Sequence, residues 1–217
     1  MLQPVIHSTR ALDAYAAGAW LPQLPQNFRD DAGRLMASVQ KTVETLDEKL
    51  AELAQRSTTD ALTGARNRRW LDEVSEPMMA EALSDGKGCG ALVIDIDRFK
   101  QLNDTYGHAL GDHILVVVGN GLREAVGADG EVVRLGGDEF AILLPGAAGA
   151  DGVSAAAERV RQHVRQAVRR MPRDAQVTIS VGGAWRRGGG TFNDLYHRAD
   201  AQLYEAKRVG RDTALCA

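Results

Sequence analysis

Two pairs of carboxylates stand out by their setting. Asp138 and Glu139 directly follow Gly136-Gly137 in the stretch RLGGDEF, and Asp95 and Asp97 end the apolar run ALVIDID. Paired glycines between the β-prone runs GEVVRL and FAILLP predict a two-residue hairpin turn at Gly136-Gly137, because tight hairpins need φ > 0. Asp138 and Glu139 would then sit at a hairpin tip beside bare backbone. That setting suits a ligand that approaches closely, such as a nucleotide phosphate with its metal. Carboxylates at a strand end can share a hard cation such as Mg²⁺ with a carboxylate from a neighbouring strand. The alternative for each short match is a solvated turn followed by ordinary surface charge.

Bringing the acids together requires a sheet with helices against it. An amphipathic helix is predicted from Asn67 to about Leu83, with Trp70, Leu71, Val74 and Met78 on one face. A strand follows at 90–96, then a helix from about 107 to 126 that carries Leu110, Ile114, Val117, Val118 and Leu122 inward. Gly119 and Gly121 each cost that helix about 1 kcal/mol against Ala, so it depends on burial. The hairpin covers 131–145, an Ala/Arg-rich helix about 149–170, a strand 175–184, a helix 191–208 and a last short strand 212–216. This βαββαβ-type order predicts an α+β fold, an antiparallel sheet with helices on one or both faces.

The first 57 residues read differently. Pro4 can open a helix that ends near Gly18, and Pro22 and Pro25 force an extended connector. A second helix starts near Asp30-Asp31, with acids suited to its N-terminus. Met36, Val39, Val43, Leu46, Leu50 and Leu53 then form a heptad seam among charged residues, which predicts a parallel dimeric coiled coil. The competing reading is a helix packed onto its own domain. Two domains are therefore expected, 1–57 and 58–217.

A net charge of −3 gives no reason to expect nucleic-acid or anionic-membrane binding. Cys89 and Cys216 lack metal-type spacing, and their sparseness suits a reducing cytosol rather than a disulfide framework. No apolar run reaches the length of a membrane span, and the first residues lack a signal-peptide core, so a cytoplasmic location is expected.

The runs DIDRFKQLNDTYGHALGD and RLGGDEF together resemble the GGDEF-domain diguanylate cyclases. DALTGARNRR at 60–69 is similar to that family's opening and ADAQLYEAKRVGRD at 199–212 to its closing helix. The resemblance implies the palm-like fold of nucleotidyl cyclases and the condensation of two GTP into cyclic di-GMP by a two-fold dimer. It implies that Asp95, Asp138 and the backbone carbonyl of Ile96 hold two Mg²⁺ ions, with Glu139 beside them. Phe99 and Lys100 would lie in the turn around the phosphates, and Gly136 and Gly137 would let substrate approach. Lys207 and Arg211 match the triphosphate-binding pair, and Asn103 and Asp112 the guanine readers. His108 and Arg134 are assigned structural roles.

Two departures stand out. Ala65 replaces the usual Leu, and Gly127-Ala-Asp-Gly130 stands where many members carry the Arg-x-x-Asp of a product-inhibition site. A catalytically silent receptor for GTP or cyclic di-GMP is the rival function, but silent members typically lose an acid or glycine of the turn. Residues 1–56 resemble a HAMP signal-relay domain through Pro4, Gly18, Leu21, Leu24 and the DDAG run, with Asp31 in place of the usual Glu. HAMP domains usually follow a transmembrane helix, which would make this chain the cytoplasmic part of a longer receptor.

Overall fold

The computed structural model describes residues 31–56, 58–172 and 175–217, and the isolated positions 6, 9, 10 and 13. The chain divides into two compact units, Met1–Ser57 and Thr58–Ala217. In the first, α1 (Asp31–Arg56) begins on an acid, Asp31, that favours the helix N-terminus. Met36 and Val43 on this helix are 1% and 5% exposed, whereas Leu46 is 47% exposed. The expected seam is thus buried at Met36 and Val43 and exposed at Leu46. Of the expected first helix, Ile6, Thr9, Arg10 and Asp13 are described and are helical; its other residues, the proline connector, and the side chains of Leu50 and Leu53 lie outside the described residues. Among the described residues, no helix is long and apolar enough to cross a membrane.

The second unit runs β1 (Arg66–Asn67), α2 (Arg68–Ser84), β2 (Gly88–Ile96), α3 (Phe99–Tyr106), α4 (His108–Val126), β3 (Glu131–Gly136), β4 (Glu139–Ala147), α5 (Ala150–Val168), β5 (Ile179–Arg186), α6 (Phe192–Val209) and β6 (Ala214–Cys216). These strands form one sheet in the order β1-β3-β4-β2-β5-β6. The four middle strands are antiparallel to one another, but β1 pairs parallel with β3 and β6 parallel with β5. The sheet is therefore mixed at its edges rather than antiparallel throughout. β1 is only two residues long, too short for a period-2 pattern to announce it, whereas β6 falls within the strand expected at 212–216.

β2 is central and buried on both faces, which is why its sequence is almost continuously apolar. Leu92, Ile94 and Ile96 pack with Ile114, Val118 and Leu122 of α4 and Val160 and Val164 of α5. Ala91 and Val93 face the opposite layer with Trp70 and Leu71 of α2 and Leu195 and Leu203 of α6. Helices cover both faces. At Gly182 the backbone of α6 lies directly on β5: a Cβ there would stand 2.1 Å from the Ala199 carbonyl oxygen.

Two boundaries differ from expectation. The helix expected from about 107 is found at His108–Val126, but the segment before it, expected as a turn, forms the separate helix α3, ended by Gly107 at φ +83, a left-handed value. β5 starts at Ile179 rather than 175, with the Thr178 carbonyl accepting the backbone N–H of Asp97 in the same register one pair beyond the strand.

Candidate functional site

The hairpin turn lies one residue later than expected, on Gly137-Asp138. Arg134 pairs with Phe140 and Gly136 with Glu139, so Leu135 is the extra residue of a bulge that shifts the tip. Gly136 and Gly137 adopt φ +147 and +52, values that carry a steric penalty for any residue with a Cβ. Asp138 is consequently part of the turn itself, and its carbonyl accepts the Ile96 N–H at 3.3 Å. That bond fastens the tip to the end of β2, where Asp95 sits.

β2 and β4 place Asp95 directly opposite Glu139. Like charges in this position repel each other unless a cation intervenes. The Lys207 ammonium from α6 fills that role in part, 2.7 Å from Asp95 Oδ2. Burial pushes the Asp95 carboxyl above its ordinary range, and the charges of Asp138 and Asp97 push the same way. Lys207 pulls it back down without fully compensating. Three carboxylates, Asp95, Asp138 and Glu139, thus gather at the end of β2 beside one ammonium, that of Lys207.

Among the described residues, no three His, Cys, Asp or Glu side chains are arranged to cage a metal ion. The donor set at β2 suits a different kind of site. Mg²⁺ is commonly held by one or two carboxylates together with substrate phosphates rather than by an all-protein cage. Asp95, Asp138 and the Ile96 carbonyl fit that description, with Lys207 as the resident stand-in cation.

Around the carboxylates stand the other expected residues. Phe99 is buried and Lys100 exposed at the start of α3, whose N-cap Arg98 adopts φ 60. Asn103, on α3, faces α4: a Cβ at Gly111 would stand 1.9 Å from its Oδ1. That oxygen is buried and has no hydrogen-bond partner within the chain. Asp112 is exposed nearby on α4. An unsatisfied buried acceptor beside an exposed carboxylate offers acceptors to a ligand with adjacent N–H donors, as guanine has. Arg211 is exposed just beyond α6 with φ 68.

Three features here were not drawn from the sequence. Asp97 is 6% exposed and accepts from Thr178 Oγ1 at 2.6 Å, Ser180 Oγ at 2.7 Å and the Asp212 N–H at 3.0 Å. It acts as a scaffold carboxylate joining β2, β5 and the turn after α6. Arg134 donates twice to the Gly137 carbonyl, at 3.1 and 2.8 Å, and also binds Asp60. Its structural assignment thus acquires a specific content, holding the acidic turn to the start of the domain. Arg98, Arg211 and Asp212 are the non-glycine residues with positive φ among those described, each costing about 1–3 kcal/mol. All three line one cavity of about 390 Å³ with Asp97 and Thr178.

At the departure before β3, Gly127 takes φ +57 and Asp129 pairs with Arg159 at 3.1 Å. A Cβ at Gly130 would stand 2.1 Å from the Leu143 carbonyl oxygen. The backbone there is packed too closely for an aspartate. Ala65 is 1% exposed, so the other departure is a packing change in the core.

Comparison with known proteins agrees with this geometry. Residues 57–213 match the family described as diguanylate cyclase, GGDEF domain. The diguanylate cyclase DgcM of Escherichia coli K12 is 36% identical over 173 residues, 79% of this chain and 40% of that protein. The response regulator PleD of Caulobacter vibrioides is 35% identical over 88% of this chain and 43% of its own length. The chain thus spans between about a quarter and two fifths of the length of the curated relatives it matches. Among solved structures, the coiled coil and GGDEF domain of DgcB from Caulobacter crescentus, in complex with c-di-GMP, superposes with a TM-score of 0.69 at 32% identity, covering 87% of this chain and all of that one. Diguanylate cyclase SiaD from Pseudomonas aeruginosa, solved with its activator SiaC, gives 0.68 at 32% identity over 100% of this chain and 85% of that one. By its sheet, its acidic turn and these matches, the chain belongs to the family of diguanylate cyclase GGDEF domains.

Proposed function

We propose that this chain is a diguanylate cyclase that condenses two GTP into cyclic di-GMP and two pyrophosphates. The observation that carries the reading is the meeting of Asp95, Asp138 and Glu139 at one hairpin end, with more negative charge than Lys207 balances. In each half-reaction the 3′-hydroxyl of one GTP attacks the α-phosphate of the other. A phosphodiester P–O bond forms, the α–β anhydride bond breaks, and pyrophosphate carries off the electron pair. A single domain holds one GTP, so the reaction needs two domains facing each other about a two-fold axis.

Each residue has a task in this scheme. Asn103 Oδ1 and the Asp112 carboxylate accept from guanine's ring N–H and amino group, which adenine does not present in that pattern. The backbone amides at the start of α3, about Phe99 and Lys100, meet phosphate oxygens. Gly136 and Gly137 leave the tip bare for close approach, and Lys207 and Arg211 take up the phosphate tail. Asp95, Asp138 and the Ile96 carbonyl would hold two Mg²⁺ ions, with Glu139 alongside. When bound, Mg²⁺ lowers the pKa of an attacking hydroxyl and neutralises charge on departing pyrophosphate.

The N-terminal unit belongs to the same proposal as a HAMP-like relay. Its α1 would pair with a second copy and set whether two catalytic domains meet. The chain would work in the cytoplasm, within a receptor whose sensor lies upstream in the membrane.

The test is incubation of the purified chain with GTP and Mg²⁺, with chromatographic detection of cyclic di-GMP. Asp138→Ala, in a turn that contributes no core contact, is expected to abolish the product and leave the melting temperature essentially unchanged. Turnover above about a tenth of the parent rate, roughly 1.4 kcal/mol of barrier, would refute Asp138 as a metal ligand.

A further inference from the structure

Beyond the acids, the most heavily braced element is the turn after α6. Asp212 is held at every polar group. Its N–H donates to Asp97 Oδ2 at 3.0 Å, and its carbonyl accepts from Arg161 Nη1 at 3.1 Å. Its carboxylate accepts from Arg161 Nη1 at 2.7 Å, and Arg165 stands 3.7 Å from the other oxygen. Arg161 is only 15% exposed, and Glu158 fixes its fork with bonds from Nε at 2.9 Å and Nη2 at 2.8 Å. All three guanidinium nitrogens are therefore engaged within the protein.

The bracing has a physical target. Arg211 and Asp212 are consecutive non-glycine residues at φ 68 and 44. Left to itself such a turn relaxes toward negative φ, and the Arg211 side chain swings with it. Arg161 on one side and Asp97 on the other oppose that relaxation. Asp97 also belongs to the same β2 end as Asp95, so the turn is held in register with the acids.

We propose that Arg161 is a positioning residue for the phosphate tail of the nucleotide, acting through the Gly210–Asp212 turn to fix Arg211. The role rests on the reading above that Arg211 receives phosphate. An ordinary structural ion pair would influence folding alone. A positioning residue changes how the site tells a triphosphate from a monophosphate.

The experiment compares binding of 3′-deoxy-GTP, which lacks the attacking hydroxyl, with binding of GMP, both with Mg²⁺, by calorimetry on the full chain. For Arg161→Gln the affinity for 3′-deoxy-GTP is expected to fall about tenfold or more, while that for GMP changes less than about twofold. Arg211→Ala should give the same selective loss. In that background Arg161→Gln should add little, since both act through one side chain. Asp212→Asn keeps the N–H bond to Asp97 and tolerates left-handed φ, so it folds even if Arg161→Gln does not. It should show the same selectivity loss in smaller measure, and Arg161→Lys should recover part of the parent preference. Equal weakening of both nucleotides, an unchanged preference, or additive effects of Arg161→Gln and Arg211→Ala would overturn the proposal. A parent chain that binds the triphosphate no better than GMP would refute the role of Arg211 first, and is recognised without any variant.

Discussion

Arg134 gives the sharpest test of how the acidic turn is held. Its side chain is 13% exposed and that of its partner Asp60 23%, at 3.1 Å. Exposed pairs of this kind are worth about 0–1 kcal/mol, and breaking a fully buried one costs about 3–5 kcal/mol. Arg134→Ala removes this pair and both bonds to the Gly137 carbonyl. The loss is softened because Asp60 keeps the Thr63 N–H at 2.9 Å and the Thr63 hydroxyl at 2.6 Å. The exposed turn carbonyl also regains water. A net cost of about 2–3 kcal/mol follows, or a drop of about 4–12 °C in melting temperature for a unit of this size. Burial pushes the Asp60 carboxyl up, but the Thr63 bonds and Arg134 outweigh it and leave it below the ordinary carboxylate range. A depressed carboxyl contributes stability above its unfolded pKa of about 4 and loses it as pH falls through the lower folded value. Arg134→Ala should therefore flatten the acid limb of the stability profile. The assay is urea denaturation from pH 3 to pH 7, with the Asp60→Ala, Arg134→Ala double-mutant cycle at about pH 7. A cost under about 0.5 kcal/mol, or singles that simply add, would refute the reasoning.

Two further expectations concern assembly and feedback. Because Val43 is already buried and Leu46 is 47% exposed, Leu46→Glu alone should weaken self-association in sedimentation without unfolding α1; an unchanged dimer would locate the contact elsewhere. Cyclic di-GMP should not slow initial rates through residues 127–130, where Gly127 can neither bind phosphate nor stack on guanine and Gly130 has no side chain; tight product binding with inhibition at low micromolar levels would show that another surface has taken over.

The parts legible in the sequence are those whose signal is local. Paired glycines, an apolar run ending in acids and helical periodicity located the hairpin, β2 and most of the helices. The turn was misplaced by one residue because a bulge at Leu135 leaves no mark on residue types. β1 escaped for the same kind of reason, being too short to carry a pattern, whereas β6 falls inside the short strand expected at 212–216. Asn103 could be proposed as a guanine reader by resemblance, but its partnerless oxygen appears only when α3 and α4 are folded against each other.

What the sequence could not reveal is how the chemical groups are held. Asp97 meets Ser180 across 83 positions, Arg134 meets Asp60 across 74, and Arg161 meets Asp212 across 51. None of these pairs has a spacing rule, because each depends on which strands become neighbours. The sheet order makes them adjacent: β2 sits between β4 and β5, so the acids on its end share one strand with the carboxylate that braces the Arg211 turn. The same closeness explains the missing product motif better than a lost arginine does. At Gly130 the chain enters β3 against the Leu143 carbonyl with no room for a Cβ, so an aspartate there requires the strand entry itself to move. Restoring the motif is thus a change of backbone path as well as of side chains.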